Sequence, residues 1–328
     1  MPGPIVKELL TSVPLQNVSI QYRNKSYIGD RVFPIIDTAN PKAKITRYLK
    51  GAWFRNEAAL RAAGARAKRG SFPVDEIPLS TKEYAFAKEV TDEDRKNAAL
   101  PNAPALKPEM DAIEYCSDKI DLYKEIVIAS AVKDTTWIDG NATGEDAEGG
   151  WAAADSGNTF IADIIAGQTA IQAATGMKAN ALIIDYGTFM SLKEEKTILD
   201  KIKYTQRGVL TVDLLAALLE LEEVLIGEAL VNTAKETKAG TEWTALKIWE
   251  VTATKGMGFL FHRASSPGLR TPSSGYQVRL LQEGGGVRRL STWREPAEHQ
   301  DVYEAAEETD IVVTGADLGY KWKDTLKN

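Results

Sequence analysis

The loop at residues 139–150, DGNATGEDAEGG, places oxygen ligands at spacings that could hold a cation. Asp139, Asn141 and Thr143 fit the first half of a calcium-binding loop, in which alternate residues supply carboxylate, amide or hydroxyl oxygens. The twelfth position of that pattern is Gly150, where a bidentate glutamate is required. The spacing therefore favours a plain acidic loop over a calcium site.

Two glycine-rich stretches have the composition of phosphate-binding loops. The stretch EGGGVRR, residues 283–289, is not followed by a Lys-Ser/Thr pair and joins two predicted strands, so we interpret it as a turn. The stretch GMGF, residues 256–259, lacks the third glycine and the following helix of a dinucleotide-binding fingerprint. Neither stretch predicts a cofactor site.

Candidate nucleophiles and bases are few. Cys116 falls on the apolar stripe of a predicted helix, which favours a packing role. His262 ends a predicted strand and His299 lies among acids, and neither accompanies a serine or cysteine motif. A site assembled from distant residues would leave no local signature. From these residues we expect a protein that is not an enzyme and that has no cofactor and no metal.

Length and composition are those of a soluble globular chain. The 328 residues are 44% hydrophobic and 26% charged, which is enough to bury a large core. A single cysteine excludes an internal disulfide, and no Cys/His cluster has zinc spacing. No apolar run reaches the about 18 residues of a membrane span, and the N-terminus lacks the features of a signal peptide. We expect synthesis in the cytosol and no membrane association.

Charge is segregated along the chain. The net charge of −6 argues against a protein that clamps DNA. Residues 42–69 contain nine Lys/Arg and one acid, whereas residues 295–310 contain seven Asp/Glu and no Lys or Arg. With Tyr48, Trp53 and Phe54 among its cations, the basic segment could stack bases and neutralise phosphates. Alternatively, it could meet acids on another copy of the chain, where charge complementarity sets orientation.

The first third of the chain is predicted to be extended. Prolines interrupt any long helix in residues 1–38. Two strand-like segments, 42–54 and 79–90, are interpreted as the legs of a long hairpin whose tip is ALRAAGARAKRGSFPV, residues 59–74. Legs of that length would span about 40 Å. An isolated two-stranded hairpin is marginal in water, so this one should lie on another surface.

Residues 109–134 are predicted to form one long helix. Pro108 suits its first turn, and acids follow at the positive end of the helix dipole. An apolar stripe runs along it at spacings of three and four: Ile113, Cys116, Ile120, Tyr123 and Val127. At 1.5 Å per residue the helix would be about 40 Å long.

The rest of the chain is predicted to be mixed. Helices are expected at about 159–175, ending at Gly176, near 188–204 and at 211–221. Strands are expected at 181–185, 223–232, 245–251 and 256–263. From Gly275 onward four segments have strand character: YQVRLLQE, GVRRLSTWRE, DVYEAAE and DIVVTG.

This order of elements, together with two phrases, carries a resemblance. The phrases are NKSYIGDRVFPIIDTANPKAKITRY, residues 24–48, and ALIIDYGTFMSLKEEKTILDKIKY, residues 181–204. With them the chain resembles the major capsid proteins of tailed bacteriophages, which have the Hong Kong ninety-seven-type fold. YIGDRVFP, residues 27–34, looks like the passage from the family's N-terminal arm into its extended loop. The resemblance covers essentially the whole chain.

The resemblance implies an α+β fold with an N-terminal arm, an extended β-hairpin loop, a peripheral domain with a long spine helix, and a mixed α/β axial domain. Mapped onto the chain, the parts are the arm 1–38, the extended loop 39–92, the peripheral domain 93–177 with its spine helix 109–134, the axial domain 178–268, and the return strands of the peripheral domain 269–328.

The family implies a structural protein that assembles into pentamers and hexamers of an icosahedral head around double-stranded DNA. Its partners would be copies of itself, a portal, a decoration protein in some cases, and a scaffold. Because the arm follows Met1 almost at once, we expect a separate scaffolding protein. The chain would be made in the host bacterial cytoplasm and reside in the virion, enclosing DNA without sequence-specific binding. The inter-subunit lysine–asparagine crosslink of some members is not carried over, because no partner asparagine is identified.

Within this reading, the basic hairpin of one subunit is expected to lie over an acidic segment of a neighbour. The expected hairpin contacts are Lys50, Trp53, Phe54, Arg61, Arg66, Lys68 and Arg69. The expected acidic partners are Glu295, Glu298, Asp301, Glu304, Glu307 and Glu308, with the 139–155 loop as the other candidate. Two alternatives stay open: a nucleic-acid-binding protein that uses residues 42–69 as its arm, and a cargo-holding nanocompartment shell of the same fold.

Overall fold

The computed structural model describes residues 24, 26–99, 107–153, 157–202, 210–235, 242–251, 255–268, 270–282 and 285–326. Most of the predicted N-terminal arm, residues 1–23, lies outside the described residues. None of the described helices is long and apolar enough to cross a membrane.

The α-helices are, in chain order, α1 Gly29–Val32, α2 Lys50–Trp53, α3 Asp92–Ala98, α4 Pro108–Asp134, α5 Phe160–Thr175, α6 Tyr186–Lys193, α7 Lys196–Ile202 and α8 Val212–Leu218. Short 3₁₀ turns lie at Gly150–Ala152 and Ala316–Leu318.

The strands are β1 Ile35–Thr38, β2 Lys42–Tyr48, β3 Val74–Ser80, β4 Lys82–Thr91, β5 Glu145–Asp146, β6 Ala181–Asp185, β7 Glu223–Gly227, β8 Leu230–Asn232, β9 Ala245–Lys247, β10 Met257–Phe261, β11 Gly275–Leu280, β12 Arg288–Glu295, β13 Gln300–Val313 and β14 Gly319–Lys323. The mixture of helices and strands confirms the predicted α+β class.

The first sheet is built around β13. This long strand pairs antiparallel with β4 and β12 along its first part and with β11 near its end, and β1 lies parallel beside β11. Because side chains alternate along a strand, Tyr84 and Phe86 of β4 lie on one face. There they meet Tyr123 and Tyr115 of α4, with ring centroids 4.7 and 5.7 Å apart. The long helix therefore covers one face of this sheet.

The second sheet has the order β5-β14-β10-β6-β7, and its central strands β10 and β6 are buried on both faces. In β6, Leu182 and Ile184 pack in one core with Trp322 and residues of α5. Ala181 and Ile183 pack in the other core, which includes the C-terminal half of α4. A strand buried on both faces has no polar side, which explains why residues 181–185 read as one apolar run.

The long helix changes partner halfway along. In its first half the buried residues Cys116 and Ile120 pack against Ala305 of β13, as the predicted stripe requires. In its second half the predicted stripe is wrong, since Tyr123 is 44% exposed. The buried positions there are Glu125, Ile128, Ala129 and Val132. The shift occurs because Ile128, Ala129 and Val132 pack in the core against the second sheet. Tyr123 and Lys124 still contact Tyr84 and Glu307 of the first sheet.

The predicted hairpin is present, but its second leg is β3 and not the predicted segment 79–90. β2 pairs with β3 from Lys42↔Ser80 to Tyr48↔Val74. The chain then turns, and β4 pairs with β13 in the first sheet instead of serving as a leg. The apolar face of β4 is the reason, because it contacts α4. Legs of seven residues span about 23 Å, shorter than expected.

Several other boundaries differ from the sequence prediction. The helix near 188–204 is two helices, α6 and α7, and the strand 223–232 is two strands, β7 and β8. The segment at 245–251 is strand only over Ala245–Lys247. DVYEAAE and DIVVTG form one strand, β13, and β14 was not predicted because its lysines obscure an apolar pattern. α4, α5 with its stop at Gly176, and β6 are confirmed. α8 follows Thr211, whose side chain caps it.

Candidate functional site

Residues 49–73 connect β2 to β3 and are called here the hairpin tip. Apart from the single turn of α2, the tip has no helix or strand. Nearly all of its side chains are exposed, and Leu60 is fully so. Connecting segments of this length without secondary structure are uncommon in compact domains and often have a function.

An aromatic cluster closes the base of the tip. The ring of Tyr48 lies 6.1 Å from that of Trp53 and 5.7 Å from that of Phe72, and the Trp53 and Phe72 rings are 5.6 Å apart. The guanidinium of Arg270 lies 5.5 Å from the Tyr48 ring. Trp53 and Phe72 are each 54% exposed, so the cluster presents an aromatic surface to solvent. Sequence reasoning singled out Trp53 but missed Phe72 and Arg270.

The first turn of the tip is fixed to its own chain. The ammonium of Lys50 pairs with Asp317 and donates a hydrogen bond to the carbonyl of Ala174 at 3.1 Å. Phe54 lies over Gly176, where an added Cβ would be 3.4 Å from its ring, yet it remains 68% exposed. Of the predicted contact residues, Lys50 is therefore already engaged within the subunit.

Of the other cations of the tip, Arg55 pairs with Glu57 and the remaining four form no ion pair within the described chain. Arg61, Arg66, Lys68 and Arg69 are exposed, and none of them forms an ion pair with another residue that the structure describes. No acid lies in residues 58–73. The tip therefore presents four uncompensated positive charges.

Three acids of the acidic segment, residues 295–310, form ion pairs within their own chain. Its ion pairs join Asp301 to Arg95 and Arg294, Glu304 to Arg289, and Glu307 to Lys124 and Arg288. Glu295 accepts hydrogen bonds from Gln300 at 2.7 Å and from Trp293 at 3.2 Å. Glu298 is exposed and Glu308 partly so. The structure thus places the predicted acids on β12 and β13 or between them, and does not bring them to the tip of the same chain.

Arginines of this network lower the pKa of two aspartates. The hydrogen bond from Arg95 lowers the pKa of Asp301, and the bond from Arg294 lowers the pKa of Asp92 to about 2. Asp301 lies on β13, and both Asp92 and Asp301 accept hydrogen bonds from Arg294 of β12. The network ties α3 to the first sheet, which is a structural role.

One buried carboxylate joins three parts of the chain. Glu125 of α4 is 2% exposed and accepts hydrogen bonds from the amides of Ile28 at 3.1 Å and Gly29 at 2.7 Å and from the Trp249 indole at 2.5 Å. Burial raises the pKa of Glu125 in spite of these donors. The sequence showed only a glutamate inside a helix, so its role as a junction was not predicted.

The loop at residues 139–150 lies beside the buried Lys321. The ammonium of Lys321, buried at 0% exposure, donates to the carbonyls of Lys133, Thr135 and Ala142. Burial lowers the pKa of this lysine. Within the described residues no group of three or more His, Cys, Asp or Glu side chains could hold a metal ion. The hydrogen bonds of Lys321 join the end of α4 and this loop to β14.

Comparison with known proteins shows a likeness to a phage protein in sequence and to many solved structures in fold. The chain is 25% identical over 237 residues to a major capsid protein of Burkholderia phage BcepMu, covering 71% of this chain and 74% of that protein. No family model matches the chain.

Solved structures match over nearly the full length. A phage-related protein from Bordetella bronchiseptica matches with a TM-score of 0.67 and 22% identity, covering 93% of this chain and 94% of that one. The capsid of cyanophage P-SCSP1u matches with a TM-score of 0.61 and 11% identity, covering 98% and 94%. The fold is therefore that of phage capsid proteins, and the resemblance found in the sequence is confirmed.

Proposed function

We propose that the chain, having this fold, is a structural major capsid protein that assembles into pentamers and hexamers of an icosahedral phage head around double-stranded DNA. The most direct support is the share of the chain that matches a solved phage capsid structure. The cyanophage capsid matches 98% of the chain, so the likeness includes the hairpin and both sheets and is not confined to one element. The sequence relationship to a phage major capsid protein supports it independently.

The proposed partners are other copies of the chain, a separate scaffolding protein, a portal and a decoration protein. DNA would be enclosed without sequence-specific binding, which agrees with a net charge of −6. The protein would be made in the host bacterial cytoplasm and reside in the virion. Its role would be structural, with no catalytic step.

The domain division proposed from the sequence is adjusted at the end of the extended loop and at β5 and β14, which fall in the predicted peripheral ranges but pair within the second sheet. The hairpin ends at Ser80, and the following strand β4 belongs to the first sheet. We therefore place the end of the extended loop near residue 80 and not at 92. The first sheet with α4 then corresponds to the peripheral domain, and the second sheet to the axial domain.

The hairpin tip is the proposed inter-subunit contact. Its four unengaged cations and its exposed aromatic residues suit a surface that becomes covered on assembly. The proposed acidic partner segment is weaker in this role than its sequence indicated, since Asp301, Glu304 and Glu307 already form ion pairs within their own chain.

Negative-stain electron microscopy of the purified chain, alone and co-expressed with its neighbouring phage genes, tests the proposal. Closed shells of uniform diameter are the expected result. Small oligomers alone under both conditions would contradict it. DNA inside shells from infected cells supports a phage head, whereas a cargo protein inside them would support a nanocompartment.

A nucleic-acid-binding role is the second candidate, and the exposed basic tip is the observation that favours it. Binding through several phosphate contacts would show an affinity that falls steeply with salt concentration. A capsid protein that only encloses DNA should show weak binding of free subunits, and replacing Arg61, Arg66 and Arg69 by Gln should change it little.

A further inference from the structure

The outer edge of β8, which faces away from β9, is occupied at one residue by the N-terminal arm of the same chain. The side-chain amide of Asn24 donates to the carbonyl of Leu230 at 2.9 Å and accepts from the Leu230 amide at 3.2 Å. These are the two bonds that a neighbouring antiparallel strand would make at that residue. The arm therefore enters the described fold along this edge.

The next outward-facing backbone groups on this edge belong to Asn232. Thr233 donates from its backbone to the carbonyl of Thr244 on the opposite strand at 2.9 Å. Because the bonding direction alternates along an antiparallel strand, the amide and carbonyl of Asn232 point away from β9, as those of Leu230 do. Within the part of the chain that the structure describes, no backbone group outside the β8–β9 pair bonds to these Asn232 groups. The edge can therefore accept further strand residues beyond Asn24.

Beside this edge, the two-stranded ribbon of β8 and β9 exposes apolar side chains. Asn232 lies opposite Ala245, and the same register carried two residues further puts Ala234 opposite Trp243. Opposite residues of an antiparallel pair point to the same face, so Ala234, Ala245 and Trp243 share one face of the ribbon. Ala245 is exposed, and Trp243 is 65% exposed. A two-stranded ribbon is marginal in water, and a third strand would add the apolar burial that this one lacks.

The residues before Asn24 have the sequence pattern of such a strand. Residues 18–23, VSIQYR, alternate apolar and polar side chains, and no proline lies between Pro14 and Asn24. In a strand, a period of two places the three apolar side chains on one face. These residues lie outside the described part of the chain, directly before a residue that is bound to β8.

The direction of the arm is given by two contacts. The amide of Ile28 donates to Glu125 at 3.1 Å, and the indole of Trp249 donates to the same carboxylate. Trp249 follows β9 at the base of the ribbon, whereas Asn24 lies further along β8. From Ile28 back to Asn24 the arm therefore runs from the base of the ribbon toward its turn. Since β8 runs toward the turn with rising residue numbers, the arm is antiparallel to it.

That direction sets the register of an added strand. Two residues of extended chain cover about 7 Å on either strand. Continued from Asn24, the antiparallel register puts Tyr22 opposite Asn232 and Ile20 opposite Ala234. Tyr22 then meets the open backbone groups of Asn232, and both apolar side chains fall on the exposed apolar face of the ribbon.

We propose that residues 18–23 add as a third strand to the β8–β9 ribbon of their own chain, antiparallel to β8, with Ile20 and Tyr22 against Trp243. The chain's own arm is the occupant because Asn24, the next residue, is bound to this edge. The third strand fixes where the arm leaves the subunit. The inference goes beyond the proposed function, since it concerns one subunit and holds whether or not shells form.

A disulfide tests the register in unassembled subunits. Gln21 and Thr233 face each other in a pair without ladder bonds, whose Cα atoms lie about 4.5 Å apart, within the range that a disulfide spans. Gln21→Cys with Thr233→Cys should therefore form an intramolecular disulfide in a glutathione buffer, detected on non-reducing gels and by intact mass. Ser19→Cys with Thr233→Cys, two residues out of register, is the matched control and should form it about tenfold more slowly.

The native Cys116 is buried, and the single variants Gln21→Cys and Thr233→Cys control for it. Equal rates in the two cysteine pairs would overturn the docking, because only a freely moving arm brings both partners to Thr233 equally often. Disulfides between two chains instead of within one would overturn docking in the same chain.

Hydrogen exchange of the Asn232 amide tests which face of the segment is bound. Ile20→Asp with Tyr22→Asp places charges against the apolar face of the ribbon and should make this amide exchange about tenfold faster. Ser19→Asp with Gln21→Asp changes the opposite face of the same segment and should leave the rate unchanged. Equally fast exchange in wild type and in both variants would overturn strand addition while leaving the proposed function intact, since all three proteins are compared as unassembled subunits.

Discussion

At the scale of single residues, Gly29 controls whether the buried Glu125 carboxylate keeps its place. A Cβ at position 29 would lie 2.7 Å from the Glu125 carboxylate and 2.8 Å from the Ile128 side chain. Gly29→Ala is therefore expected to lower the free energy of unfolding by about 1–3 kcal/mol, the usual range for overpacking. Urea denaturation measures it. Gly51→Ala is the control, because nothing lies within 4 Å of that position and its stability should change little.

The burial of Glu125 could not be predicted from the sequence around it. A glutamate within a long amphipathic helix is ordinarily solvated, and nothing local distinguishes this one. Its donors come from Ile28, Gly29 and Trp249, which are far from it in sequence. Cys116, by contrast, was placed correctly in the core because the spacing of its own helix was sufficient.

At the scale of elements, Lys321 of β14 joins the C-terminal end of α4 to the 139–150 loop. Lys321→Met would leave the carbonyls of Lys133, Thr135 and Ala142 without this donor inside the protein. We expect a loss of about 1–3 kcal/mol for each carbonyl that water cannot reach, measured as a lower melting temperature. Lys323→Met on the same strand removes only a partly exposed pair with Asp146, and should cost less than about 1 kcal/mol. Equal losses in the two variants would contradict this role.

Elements with strong local signals were predicted, and elements defined by distant partners were not. The long helix was found from its proline start and its apolar spacing. The second hairpin leg was misassigned because residues 82–91 alternate as a hairpin leg would, and their actual partner is β13, far along the chain. Sequence periodicity identifies a strand but does not identify its neighbour.

The partners of the charged segments were likewise not predictable from the sequence. Opposite charge at the two ends of the chain indicated a contact between them. The structure instead shows that three of the six predicted acids already face cations on β12, α3 and α4, which the linear charge count could not reveal.

At the scale of the whole molecule, the hairpin tip should be dispensable for folding and necessary for assembly. Tyr48 and Val74 are directly paired, so an Asn-Gly turn replacing residues 49–73 would close β2 onto β3 without moving either strand. The tip contributes little buried surface to its own subunit, since nearly all of it is exposed. The shortened chain should therefore melt within about 3 °C of wild type, a shift worth less than about 1 kcal/mol.

Assembly of that shortened chain is the decisive measurement, followed by light scattering and electron microscopy. We expect folded subunits that form no closed shells, because the surface that would reach a neighbour is gone. A second variant, in which residues 56–72 are replaced by a Gly/Ser segment of equal length, keeps Lys50, Trp53 and Phe54 and the reach of the tip while removing its charges. If assembly fails in both variants, the chemistry of the tip is required, whereas assembly of the second alone would show that reach is sufficient. Normal shells from the shortened chain would mean that subunits meet through other surfaces.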